Sequence, residues 1–349
     1  MSAPRPVAAR LAVAALALAA LACGCASTVR QQPAARQQAA RPASPRAPAR
    51  TASSPPPPAA PADAGSLGSY QVGERQFTFA EPAHTGPTGA YLDERTLATQ
   101  VWYPLAASSA SRPARGAFPL LLFAPGFRQC AGGYSDLLRA WASAGYVVAA
   151  VNFPRTNCHL GAAAYEPDLV NQPGDVSYVL SRLLALDAQP GGLLSGLLDR
   201  REIGAAGQSD GGDTVAALAA NTCCADGRLR AVAVLSGAEW PPMPGRYFAG
   251  AAPPMLFAQG SADTINPPWT SLQLYTADGA GARYYLDLFG ASHMVPYVGT
   301  NPVEQVVARV TVDFFDRYLL GRPGALAAMA RDGNVAGTAA LVSGGRLPP

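Results

Sequence analysis

The sequence predicts an α/β domain: a mostly parallel sheet with helices on both faces and no large cap domain. Three observations predict it. Short apolar runs alternate with helical stretches through the second half of the chain, the pattern of βαβ units whose strands are buried on both sides. A Gly-rich turn, Gly207-Gln208-Ser209-Asp210-Gly211-Gly212, lies between one such run and a helix-like stretch. Finally, Ser209, Asp263 and His293 each follow an apolar run, and the carboxyl ends of strands are where open α/β sheets bind ligands.

The first elements, Arg75 to Phe79 and Leu97 to Tyr103, read as antiparallel edge strands. Buried strands then follow at Leu120 to Ala124, Tyr146 to Asn152, Ile203 to Ala206, Ala231 to Leu235, Met255 to Ala258 and Tyr284 to Leu288, each a short run dominated by apolar residues. Helices are expected over Tyr134 to Ser143, Gly174 to Leu186, Gly211 to Asn221, Pro268 to Ala277 and Pro302 to Leu320, where the apolar spacing lengthens and Pro stands at two of the starts. The Pro- and Gly-rich stretch between Leu235 and Met255 is too short for a large cap, so an open site is expected. No internal repeat is visible. The domain is expected to occupy residues 67–325, with 326–349 as a C-terminal tail.

Ahead of it, Arg5 and Arg10 precede an apolar run from Leu11 to Ala22, too short to span a bilayer and suited to a signal peptide. Residues 1–25 are therefore expected to direct export. Ala20-Leu21-Ala22-Cys23 resembles a lipoprotein cleavage site, which would make lipidated Cys23 a membrane tether, with Cys25 a second candidate. Residues 26–66 are Pro, Ala, Ser, Gln and Arg without apolar periodicity, including Pro55 to Pro58, and such composition reads as a disordered tether. The chain has 26 basic and 23 acidic residues; the first 63 hold 7 and 1 of them, leaving 19 and 22. A nearly neutral domain excludes nucleic acid as the expected partner, and a monomer is expected.

A serine hydroxyl is a weak nucleophile, useful only when a turn lifts it clear of the sheet and a base removes its proton. Gly207 and Gly211 stand two residues either side of Ser209, where a tight strand-to-helix turn demands small residues. Asp210 would offer a backbone N–H to a developing oxyanion at the helix start. With 35 Gly among 349 residues, G-x-S-x-G carries little weight alone. The order gives it weight: Asp263 follows the run Pro254 to Ala258, and His293 follows Tyr284 to Phe289. An imidazole can take the serine proton, and a carboxylate can orient that imidazole. Glu239, after the preceding strand, rivals Asp263 as the acid, and His159, beside Cys158, rivals His293 as the base. His84 reads as a surface histidine, while Asp175 and Asp210 read as charges at helix starts, Asp210 also hinting at a polar rim. No Cys–His spacing suggests zinc, and neither metal nor cofactor is expected.

These segments, with Val101-Trp102-Tyr103-Pro104, Pro125-Gly126-Phe127 and Ala144-Gly145-Tyr146-Val147-Val148-Ala149-Ala150, resemble the α/β-hydrolase-fold carboxylic ester hydrolases. The similarity is to the group of dienelactone hydrolases, platelet-activating-factor acetylhydrolases and cutinase-like polyester hydrolases, over most of residues 70–320. Two departures are Gln208, where His is common, and Asp210, where an apolar residue is common. The resemblance implies a serine esterase with Ser209 as nucleophile, His293 as base, Asp263 as orienting acid and the N–H groups of Phe127 and Asp210 as oxyanion hole. It also implies an apolar cleft built from Phe127, Trp240 and Met294, and a small-molecule or polymeric ester as substrate, acting without cofactor. A polyester hydrolase or lipase is an alternative within this chemistry; a catalytically silent binding protein of the same fold is the alternative outside it. Four Cys lie beyond the export segment and allow three pairings. In this fold Cys130 and Cys158 follow adjacent strands, so a bridge between them is expected; for Cys223 and Cys224 a vicinal bridge or two free thiols both stand open.

Overall fold

The computed structural model describes residues 67–279 and 281–344. The expected signal peptide, the tether, Cys23, Cys25 and the last five residues of the tail lie outside them. The strands are β1 (Val72–Glu81), β2 (His84–Thr85), β3 (Tyr91–Leu92), β4 (Arg95–Pro104), β5 (Phe118–Ala124), β6 (Val147–Asn152), β7 (Leu198–Gln208), β8 (Ala231–Leu235), β9 (Met255–Gly260), β10 (Arg283–Leu288) and β11 (Ala339–Ser343). The α-helices are α1 (Ser135–Ser143), α2 (Gln172–Asp187), α3 (Asp210–Ala220), α4 (Pro268–Ala277), α5 (Pro302–Tyr318) and α6 (Ala325–Asp332).

Nine strands form one sheet in the order β1-β4-β6-β5-β7-β8-β9-β10-β11, and β2 pairs with β3 in a small separate hairpin. The central run from β6 to β10 is parallel, whereas β1, β4 and β11 join antiparallel at the two sides. The period-2 side-chain alternation explains why the buried strands look apolar throughout. Leu120, Leu122 and Ala124 of β5 face the layer of α2, α3 and α4, with Val179, Leu218 and Leu274 opposite them. Leu121 and Phe123 face the layer of α1, α5 and α6, with Trp141, Val310, Phe315 and Met329. Helices cover both faces as the sequence predicts, and no helix intervenes between β8 and β9.

Two boundaries differ from the sequence expectation. Strand β7 begins at Leu198 rather than Ile203, because the polar stretch Asp199 to Glu202 hides an extended entry that pairs with Phe118 and Pro119 before the register shifts between Pro119 and Leu120. Such a bulge takes up extra residues without ending the strand. The expected tail is instead structured: α6 packs on α5, and β11 extends the sheet by pairing with β10. Its Ala-rich sequence lacks a strong alternation, so its strand state rests on the neighbour it pairs with.

The chain leaves β5 towards β6 on one side and returns to β7 on the other, so the direction of winding reverses at β5. In open α/β sheets a crevice opens at the carboxyl ends where this reversal occurs, which places the loop after β5 beside the turn after β7. The segment after β6 is anchored by buried charges. Arg95, the first residue of β4, donates from Nε and Nη2 to Asp175 at 2.6 Å each, and from Nη1 and Nη2 to Asp168 at 3.0 and 2.8 Å. Bidentate guanidinium–carboxylate pairs of this kind combine strength with fixed geometry. Removing the cation leaves two enclosed carboxylates, so Arg95→Met should lower the unfolding free energy by about 3–5 kcal/mol. Urea denaturation checks this, and a loss under about 1 kcal/mol would contradict it.

Candidate active site

Strand β7 ends at Gln208 and α3 starts at Asp210, leaving Ser209 as the single residue of the turn. Its φ of 57° and ψ of −126° are strained for a residue with a side chain and persist only where the surroundings impose them. The surroundings are backbone. A Cβ on Gly207 would stand 2.0 Å from the Gly211 carbonyl oxygen, and one on Gly211 would stand 1.8 Å from that of Ala124. Only glycine fits at either place, so the turn closes on itself and presses against the end of β5. The Ser209 N–H donates to the Leu235 carbonyl at 2.9 Å, and the Asp213 N–H donates to the Ser209 carbonyl at 3.0 Å.

The turn brings together residues distant in sequence. Ser209 Oγ lies 2.9 Å from His293 Nε2, and His293 Nδ1 lies 2.7 Å from Asp263 Oδ2. His293 follows β10, and Asp263 follows β9. The second Asp263 oxygen accepts from the N–H groups of Ile265 and Asn266 at 2.9 and 3.0 Å, and Gln259 Nε2 donates to Oδ2 at 3.0 Å. Burial opposes ionisation of Asp263, but His293 and these two N–H groups outweigh it and hold its pKa below the ordinary aspartate value. A fixed carboxylate on Nδ1 leaves Nε2 free to accept the serine O–H. The arrangement can therefore pass a proton from Ser209 Oγ to His293 and hold the resulting imidazolium.

The rival residues lie elsewhere in the hydrogen-bond pattern. Glu239 accepts from Gln273 Nε2 at 3.3 Å, and Asp263 is the carboxylate on His293. His159 is exposed, with its N–H donated to the Asn157 side chain at 3.0 Å. His84 bonds the Pro82 carbonyl at 3.0 Å. Asp175 serves Arg95. Among the described residues one grouping has cation-ligand proximity, Cys130, Cys158 and His159, and its two sulfurs are bonded to each other.

The Gly126–Phe127 peptide lies over the serine: a Cβ on Gly126 would be 3.0 Å from Ser209 Cβ. Among the described residues, neither the Phe127 nor the Asp210 N–H donates to a backbone carbonyl, which leaves both able to meet an anionic oxygen. The loop carrying Phe127 is tied down. Arg128 N–H donates to the Thr156 carbonyl at 2.7 Å and Gln129 N–H to that of Gly126 at 3.0 Å. The disulfide Cys130–Cys158, with Cα atoms 5.3 Å apart, links the loops after β5 and β6, as the adjacency of those strands predicts. Cys223 and Cys224 form a vicinal bridge beyond the end of α3.

Of the expected cleft residues, Trp240 and Met294 pack against different apolar clusters. Trp240 packs against Leu169, Ala217 and Met243 and lines a cavity of about 530 Å³ with Tyr247, Trp269 and Glu239. Phe127 is half-buried beneath the Arg128 guanidinium, 4.9 Å from its ring centre. Met294 packs partly into the core on the α1/α5 side, where the short turn after His293 turns it inward. The Asp210 side chain is not at a rim either: it is 7% exposed, and burial, then the charge of Glu166, push its pKa up to about 7.

Two residues have roles at the site that the sequence did not suggest, Gln208 and Tyr134. Gln208 Oε1 accepts from the Tyr134 hydroxyl at 2.8 Å, and Gln208 Nε2 donates to the His293 carbonyl at 3.2 Å. A sequence signal exists: Gln208 and Gln259 each close an apolar strand just before a site turn, and a buried amide is costly unless bonded.

Because the pKa of Asp263 is lowered in the fold, its ionised form adds stability above the ordinary value near 4, and that share is lost as pH falls through the lowered value. The unfolding free energies of the wild type and Asp263→Asn should therefore differ most near neutrality and converge in acid. A difference independent of pH would contradict this assignment.

No family model matches the chain, and a search of the curated proteins finds no match.

Proposed function

We propose that this protein is an exported serine hydrolase of carboxylic esters with the α/β-hydrolase fold, working through an acyl-enzyme. The observation that carries the proposal is the unbroken hydrogen-bond chain from Ser209 Oγ through His293 to Asp263. Its position at the strand ends beside the winding reversal, and the strained serine between two glycines that nothing larger can replace, support the same reading.

In the proposed reaction Ser209 Oγ attacks the ester carbonyl while its proton passes to His293 Nε2. The tetrahedral oxyanion sits against the N–H groups of Phe127 and Asp210, each such donor supplying about 3 kcal/mol of transition-state stabilisation. The alkoxide leaving group takes the proton from His293 and departs as the alcohol, leaving an acyl group on Ser209. Water then gives a proton to His293 and its oxygen to the acyl carbon, and the proton returns to Ser209 as the acid leaves. Asp263 stays ionised throughout, in keeping with its lowered pKa.

The wild type should hydrolyse p-nitrophenyl acetate or butyrate and take up one fluorophosphonate per chain, on Ser209. Ser209→Ala should lose labelling and lower kcat by about 10⁶. A folded wild type that neither hydrolyses these esters nor becomes labelled would overturn the proposal.

A further inference from the structure

We infer that Gln208 is a positioning residue for the base, holding the His293 backbone and the oxyanion-donor loop in one fixed relation through Tyr134. The inference rests on the acyl-transfer reading above. Gln208 is fully buried at the point where three segments meet. The Gly126 N–H donates to the Tyr134 hydroxyl at 3.3 Å, the Tyr134 hydroxyl donates to Gln208 Oε1 at 2.8 Å, and Gln208 Nε2 donates to the His293 carbonyl at 3.2 Å.

The direction of each bond in this relay is forced. A backbone carbonyl only accepts, so the amide nitrogen must face His293 and the amide oxygen must face Tyr134. The tyrosine oxygen already accepts from Gly126, so its proton goes to the amide oxygen. Burial, before any other influence, raises the Tyr134 pKa, so the phenol keeps that proton across the working range of a histidine base. One end of the relay fixes the peptide preceding the Phe127 donor, and the other fixes the backbone of the base.

The neighbouring backbone bonds fall on either side of the histidine, with Tyr297 N–H donating to the Met294 carbonyl at 3.0 Å after it. Ala262 N–H donates to the Ala291 carbonyl at 3.0 Å and Ala291 N–H to that of Leu288 at 3.2 Å, both before the histidine. Gln208 Nε2 also lies 3.3 Å from His293 Nε2, the nitrogen that meets Ser209 Oγ, so the amide borders the base at its ring as well as at its backbone. A shift of about 1 Å in a reacting group costs about 10²-fold in rate, and Gln208, fully buried, acts on the base rather than on bound ester. Its loss should therefore fall on kcat and spare KM.

The test uses Gln208→Met, which keeps the volume and removes every bond, and Tyr134→Phe, which removes one oxygen. Steady-state hydrolysis of p-nitrophenyl butyrate, the rate of fluorophosphonate labelling and thermal unfolding are measured for each and for the double variant. The expected result is a fall in kcat of about 10- to 100-fold for Gln208→Met with KM changed less than about 3-fold, slower labelling in parallel, and a double variant little worse than Gln208→Met because both act through one relay. Wild-type kcat and labelling rate in folded Tyr134→Phe and Gln208→Met would overturn the inference. Absence of labelling in the wild type itself would instead remove the esterase reading on which it rests.

Discussion

The close approach of two backbones, the turn around Ser209 and the end of β5, is the constraint on which the site depends. Gly211 sits so near the Ala124 carbonyl that no Cβ fits between them, and this contact fixes the start of α3 against the central strand. Because β5 is where the winding reverses, the same contact sets Ser209 beside the Gly126–Phe127 peptide. A strained serine conformation follows from packing on both sides and needs no ligand to maintain it.

Around that turn, the protein encloses polar groups and satisfies most of them with neutral partners or backbone. Asp263 receives two N–H groups, an amide and an imidazole, which stabilises its charge in a place water barely reaches. Asp213, on the first turn of α3, accepts from the Ala238 N–H at 2.5 Å while burial drives its pKa well above the usual range. At Asp263 the imidazole and the N–H donors outweigh burial, whereas at Asp213 burial outweighs the Ala238 N–H and the charges of Asp210 and Glu166 add to it. Gln208, Gln259 and Tyr134 carry the remaining connections, and buried polar networks of this sort specify one arrangement when each member is satisfied. The disulfide Cys130–Cys158 adds a covalent tie just before the short helical turn that ends at Tyr134, so the loop after β5 is held from both ends.

Much of the architecture was legible in the sequence because buried parallel strands leave compact apolar runs, and the glycine pattern at 207 and 211 gained weight from the strand-end Asp263 and His293 that follow it. The three residues Ser209, Asp263 and His293 were legible as strand-end residues, and the structure brings them within hydrogen-bonding distance. What stayed hidden depends on partners rather than on local pattern. The entry of β7 is masked by Asp199, Arg200, Arg201 and Glu202, whose side chains are polar although their backbone is extended. Strand β11 has no alternation of its own and exists by pairing with β10. The bond between Tyr134 and Gln208 spans 74 residues and follows from the position of α1 over the sheet, which spacing cannot reveal. Trp240 and Met294 pack against different apolar clusters, because proximity to strand ends does not fix the direction of a side chain.

The central claim is that Ser209 becomes acylated during turnover. Rapid-quench mass spectrometry of the wild-type protein mixed with p-nitrophenyl butyrate tests it most directly. A butyryl adduct is expected on the peptide bearing Ser209, formed with a burst of nitrophenol before steady turnover. Steady release of nitrophenol with no burst and with Ser209 unmodified at every time point would contradict it.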